Sequence, residues 1–224
     1  MSPTKKPRRR LSREEILNAA LLLADGSGLE SLTMRSLAMA IGSDPTAVYR
    51  HFRDKQELLL AMVDLALTEL RYPSSAEGWR SIARGLAISL REVLRSHPGV
   101  TMQVAGGPPT RGIVEATIQA LTLLQDAGMP SEIAARAHRS VVSYVIGWVL
   151  IEQGPGIEKQ QSNFATAQYL AQGHPEADPL VVAAAVAADR SRPGEFEFGL
   201  DLFLEGLALR LSDSLPPVSD TVGD

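Results

Sequence analysis

Thr46, Tyr49, Arg50 and His51 fall within six residues, just after a glycine turn and a proline. Thr46 and Arg50 are four apart, so in a helix they share one face. A guanidinium in that position can pair bidentately with guanine in the DNA major groove, and Pro45 and Ala47 offer apolar contact to thymine methyls. Lys55 follows an aspartate that suits a helix cap, where the N–H groups of a first turn favour an anion such as phosphate. The chemistry on offer is recognition of a duplex. The four histidines, His51, His97, His138 and His174, include no pair four apart, the spacing of a helical metal site. There is no Gly-x-Ser-x-Gly nucleophile elbow and no glycine-rich phosphate loop. No catalytic residue, metal ligand or cofactor is predicted, and the chain is not read as an enzyme.

The elements that must hold these residues are legible from caps and apolar spacing. Ser12-x-x-Glu15 is a capping box, and Ile16, Ala19, Ala20, Leu23 and Ala24 then recur at helical spacing until Gly26 and Gly28. Thr33 caps a second helix with Leu37, Ala38 and Ile41 on its inner face, and Gly42 supplies the turn. Asp44 caps a third helix that Pro45 opens, and Val48 and Phe52 point back to a small core. Asp54 caps a fourth, running through Leu58, Leu59, Met62, Leu65 and Ala66 towards Leu70. Two short helices across a tight turn, the second polar on its outer side, form a helix-turn-helix.

Tyr72-Pro73-Ser74-Ser75 breaks this pattern. Beyond it the sequence predicts helices over 76–97, 100–105, 110–127, 131–153, 178–188 and 195–212, with a polar loop over 155–178 and a frayed tail from Pro216. The fold class expected is all-α. The division expected is a basic arm over 1–10, a DNA-binding domain over 11–58 and a ligand-binding and dimerisation domain over 59–215.

Composition agrees. Hydrophobic residues make up 45% of the 224, enough for a core, and the absence of cysteine excludes disulfides, thiolate metal sites and a Cys nucleophile. The net charge of −4 is unevenly placed: residues 1–60 hold ten Lys or Arg and seven Asp or Glu, the remainder twelve and nineteen. The basic front, with Lys5, Lys6, Arg8, Arg9 and Arg10 before any acid, suits contact with the DNA backbone or minor groove. No apolar run is long enough to span a bilayer and none reads as a signal peptide, so a cytoplasmic protein is expected.

Leu11 to about Leu60 resembles the tetracycline-repressor (TetR) family of bacterial transcription regulators. The resemblance is carried by the amphipathic first helix, by Leu32-Thr33-Met34-Arg35-Ser36-Leu37-Ala38, by the spacing from Gly42 to Tyr49, and by Tyr49-Arg50-His51-Phe52-Arg53-Asp54-Lys55 followed by Glu57-Leu58-Leu59. Ser43 departs from the small apolar residue usual there. The resemblance implies that Tyr49, His51 and Lys55 hold phosphates and that Arg35 reaches a base edge.

Phe196-Glu197-Phe198-Gly199-Leu200-Asp201 and the leucine-rich stretch after it are similar to the last helix of the subgroup nearest the tetracycline repressor itself. That implies a homodimer built on this helix and the helix over 131–153, with Val141, Trp148 and Leu204 expected at buried positions. It also implies a small-molecule effector. Met102, Tyr144 and Trp148 are the residues expected to line an apolar pocket, with Gln103 and Gln119 as polar handles. Tetracycline-binding members use a histidine and magnesium. Glu152 falls on an acidic position of that site, but Gln103 stands where the metal-binding histidine belongs, and an amide is a poor replacement for imidazole. No metal is expected, and the effector is a small molecule of unassigned identity. The function expected is a repressor released from a palindromic operator by that molecule. The alternative is a DNA-organising protein on the same scaffold with no inducer.

Overall fold

The computed structural model describes residues 11–74, 76–153, 179 and 194–214. Among them every regular element is helical: α1 (Arg13–Ser27), α2 (Met34–Ala40), α3 (Pro45–Tyr49), α4 (Lys55–Leu67), α5 (Trp79–Ser96), α6 (Pro98–Gly106), α7 (Arg111–Asp126), α8 (Ser131–Gln153) and α9 (Glu195–Ser214). Two compact units emerge. Among the described residues, one takes in those up to Arg71 with Ser89–Ala120, the other those of Tyr72–Ile88 with those after Ala120.

The caps of the first unit do what their residue types dictate. Ser12 Oγ accepts from the Glu15 amide at 3.1 Å while Glu15 Oε2 accepts from the Ser12 amide at 2.9 Å. At α2, Ser36 takes the part that a glutamate plays elsewhere: its Oγ accepts from the Thr33 amide at 2.8 Å and its own amide donates to Thr33 Oγ1 at 2.9 Å. Asp44 and Asp54 cap α3 and α4. Gly28 and Gly42 sit at φ of 80° and 64°, the left-handed region that lets the chain turn out of α1 and α2.

These helices close on one apolar core. Ile16, Leu37, Val48, Phe52, Leu58, Met62 and Val63 are all at 0% exposure, and Val93 and Val100 from α5 and α6 join the same cluster. Polar contacts at three places fasten it. Lys55 Nζ donates to the Leu29 carbonyl at 3.2 Å. The His97 ring stands between Asp25 Oδ2 at 2.8 Å and Glu69 Oε1 at 3.2 Å. The Gly112 amide, in the first turn of α7, donates to Asp64 Oδ1 of α4 at 2.8 Å, and a Cβ on Gly112 would come within 2.7 Å of that oxygen.

His97-Pro98-Gly99 reads in the sequence as a stop, with a short helix expected from residue 100. In the structure Pro98 both ends α5 and opens α6, because a first-turn residue needs no N–H. The loop expected over 155–178 and nearly all of the helix expected over 178–188 lie outside the described residues.

In the second unit α8 turns Ala134, Ala137, Val141, Val145 and Val149 inward at helical spacing. Phe196, Leu200 and Leu204 of α9 are buried likewise. Tyr144, Trp148 and Phe196 form an aromatic cluster with centroids 5.4–5.9 Å apart. The Tyr144 hydroxyl donates to the Phe196 carbonyl at 2.8 Å, and Arg84 of α5 pairs with Asp201 of α9. Burial holds the His138 imidazole below its ordinary range.

Gly199 is where α9 presses on Tyr144. A Cβ there would collide with the Tyr144 hydroxyl and lie 3.1 Å from its Cζ. Gly199→Ala should lower the unfolding free energy by about 1–3 kcal/mol. Gly26→Ala, in a helix where an added Cβ meets nothing within 4 Å, should raise it by up to about 1 kcal/mol. Urea denaturation of both variants measures the difference; equal shifts would refute the close approach at Gly199.

Candidate nucleic-acid interface

The face that could meet DNA is built on α3. The helix has only five residues, but the turn carries on past it: the Arg50 amide donates to the Thr46 carbonyl at 3.2 Å, and the His51 and Phe52 amides donate to the Val48 carbonyl at 2.9 and 3.0 Å. Thr46 and Arg50 therefore stand one turn apart on one face. Val48 and Phe52, buried completely, hold the opposite side.

Arg35, Thr46, Tyr49 and Arg50 are exposed, while Pro45, His51 and Lys55 are half-buried. Ala47 is 9% exposed, next to the fully buried Val48. Lys55 also does more than the spacing suggests, since one of its donors holds the Leu29 carbonyl.

Asp44 carries a second contact invisible as spacing. Its Oδ1 accepts the Thr46 amide at 2.8 Å, and the Thr46 hydroxyl donates to the same oxygen. Arg13 was also missed: its guanidinium lies 4.4 Å from the Phe52 ring centroid and 3.7 Å from Glu57. Nothing in the local sequence signals that, because the partners come from other elements. Asp54 accepts the Glu57 amide and, beside it, the Arg53 side chain, and both hold its carboxyl below the ordinary range. Arg53 is raised in turn, first by that hydrogen bond.

The expected ligand residues divide between the two units. Met102 and Gln119 are exposed and Gln103 half-buried in the first. Tyr144 and Trp148 belong to the second, where the Tyr144 hydroxyl is bonded to α9 and Trp148 Nε1 donates to Glu152 Oε1 at 2.9 Å. Among the expected dimer residues, Val141 (7% exposed) and Leu204 (1%) lie in the interior of their own chain. The outward residues of α9 are Phe198, Leu202 and Leu209, each more than half exposed. The basic arm over 1–10 lies outside the described residues. Among the described residues no cluster of three or more His, Asp or Glu is placed to hold a metal ion, and no helix is long and apolar enough to cross a membrane.

Comparison with known proteins fits this geometry. Residues 16–62 match the model of the bacterial regulatory proteins of the tetR family, and residues 72–211 match the tetracyclin repressor-like C-terminal domain. The chain belongs to the TetR family, a family of transcription regulators that bind DNA through a helix-turn-helix. The tetracycline repressor protein class A from transposon 1721 of Escherichia coli is 31% identical over 205 residues, spanning 90% of this chain and 92% of that one. A TetR variant from Acinetobacter baumannii AYE, solved in complex with minocycline, is 29% identical at a TM-score of 0.64, over 90% of this chain and 98% of that one. BioQ, solved with its natural double-stranded DNA operator, is 28% identical at a TM-score of 0.62, over 89% and 99%.

The positions of Lys55 and Arg50 predict different costs to the fold. Lys55→Ala removes a charged donor from a backbone carbonyl and should lower the unfolding free energy by about 1–2 kcal/mol. Arg50→Ala, on the exposed face, should stay within about 0.5 kcal/mol of the parent. Chemical denaturation without DNA checks this, and a larger loss at Arg50 than at Lys55 would contradict it.

Proposed function

We propose that this protein is a homodimeric repressor that binds a palindromic operator and leaves it when a small molecule binds. The observation that carries the reading is the outer face of α3. It presents Thr46, Tyr49 and Arg50 outward from a one-turn helix whose other side is locked into the core. Residues 11–58 read DNA, and the helices from 59 to 215 bind effector and partner. Arg35, Thr46 and Arg50 read base edges and Tyr49, His51 and Lys55 hold phosphates, with Pro45 beside them. Two heads must sit about one DNA turn apart, roughly 34–36 Å, to read a palindrome. An effector that binds better to a state with another spacing shifts the population off the DNA.

Similar proteins support both halves, one solved with minocycline and another with an operator duplex. Gln103 in place of a metal-binding histidine favours an effector held without a metal. The place of action is the cytoplasm, where the DNA is.

Selection of a duplex from a random pool tests the reading. Arg50→Ala should weaken binding to the selected sequence by about 1–3 kcal/mol and relax one position per half-site. Loss of Lys55 should weaken all sequences alike and flatten the salt dependence. If wild type enriches no sequence, the regulator reading fails.

The outward apolar face of α9 generates the assembly prediction. Leu202, 55% exposed, lies where a partner helix would cover it. Leu202→Glu should give monomers by sedimentation with the helical content kept, whereas wild type sediments as a dimer. A wild type that sediments as a monomer at micromolar concentration overturns this.

Effector binding predicts a stability gain. A ligand at about 100 times its dissociation constant adds roughly 2.7 kcal/mol. Thermal unfolding against a panel of small molecules should therefore find at least one that raises the melting temperature and releases the selected duplex. Uniformly flat curves would instead favour a DNA-organising protein without an inducer.

A further inference from the structure

We infer that Thr46 reads its operator as a hydrogen-bond acceptor, so that the base it faces in each half-site carries an exocyclic amine and is adenine or cytosine. This rests on the base-reading role proposed above and adds to it the chemistry of the base.

A threonine hydroxyl has one hydrogen to give and two lone pairs. On a helix in the major groove it can pair with a donor or an acceptor, and so by itself discriminates little. Here the hydrogen is already committed. The Asp44 side chain caps α3 by accepting the Thr46 amide at 2.8 Å, and the same carboxylate oxygen takes the Thr46 hydroxyl proton. A hydrogen bond to an ionised carboxylate is roughly twice as strong as one to a neutral acceptor. The carbonyl or ring nitrogen of a base does not displace it. What Thr46 offers outward is the remaining lone-pair density of Oγ1 and its methyl group.

The major-groove edge supplies hydrogen-bond donors at only two places, N6 of adenine and N4 of cytosine. Guanine O6 and thymine O4 would instead bring an acceptor against Oγ1, with the Asp44 charge behind it. Their exclusion comes from repulsion as well as from a missing bond. One turn along the same face, the Arg50 guanidinium is a donor with no acceptor and suits guanine. The reading face thus has an acceptor end and a donor end. Asp44 sets the first of these through a side-chain contact.

The test uses the full chain and the duplex that wild type selects from a random pool. Thr46→Val keeps the branched shape and methyl but lacks the oxygen, and Thr46→Ser keeps the oxygen without the methyl. Unchanged melting temperatures for both check the fold. The selected sequence should contain one position per half-site that is adenine or cytosine for wild type and Thr46→Ser and loses that preference for Thr46→Val. Replacing that base by its analogue without the amine (purine for adenine, 2-pyrimidinone for cytosine) should weaken wild-type binding about tenfold and leave Thr46→Val unaffected. A pair at that position selected equally in both orientations, wild-type binding that does not respond to loss of the amine, or a Thr46→Val variant that keeps the wild-type preference everywhere, overturns the proposal while the regulator reading stands. A wild type that enriches no sequence fails that reading first, and the two failures are thereby told apart.

Discussion

The DNA-facing surface depends on the burial of Val48 and Phe52. A five-residue helix cannot sustain itself in water, since the first turn costs more in fixed dihedrals than its hydrogen bonds return. α3 exists because Asp44 and Pro45 start it and because these two side chains reach 0% exposure among residues of α1, α2 and α4. What remains outside, Thr46, Tyr49 and Arg50, is held in one orientation by the core behind it. A reading head whose side chains were not fixed this way would lose affinity to the entropy of ordering them.

The anchoring helix is itself fixed at several points along its length. At its start Asp54 caps it and Lys55 ties it to the carbonyl of Leu29. In its last turn, Asp64 takes the Gly112 amide of α7. Just past its end, Glu69 shares the His97 ring with Asp25 of α1. The helix is thus fastened to α7 and to the start of α6 at one end and to the turn after α1 at the other. Within the second unit, α9 is keyed to α8 through the Tyr144 hydroxyl and the close approach at Gly199. That contact turns one side of α9 inward and leaves Phe198, Leu202 and Leu209 outward.

The sequence by itself determined the helices, their caps and the reading motif. These depend on interactions within three or four residues, which spacing displays directly: Ser12 with Glu15, Asp44 before Pro45, Asp54 before Glu57. It also determined that Thr46 and Arg50 share a face, since helical periodicity alone requires it. Only tertiary structure decided which side of a face is used. Val141 and Leu204 have the right spacing for an interface, yet they fill their own chain's interior, because periodicity marks an apolar stripe without saying what covers it. That the polar atoms of Tyr144 and Trp148 are bonded to Phe196 and Glu152 is likewise set by tertiary packing and rotamer. The Arg13 contact with Phe52, the Lys55 tether and the His97 bridge join residues 26–72 positions apart or on different helices, and no local pattern encodes such pairs. Even the contact of the Thr46 hydroxyl with Asp44, two residues away, depends on the side-chain rotamers, which residue types do not fix.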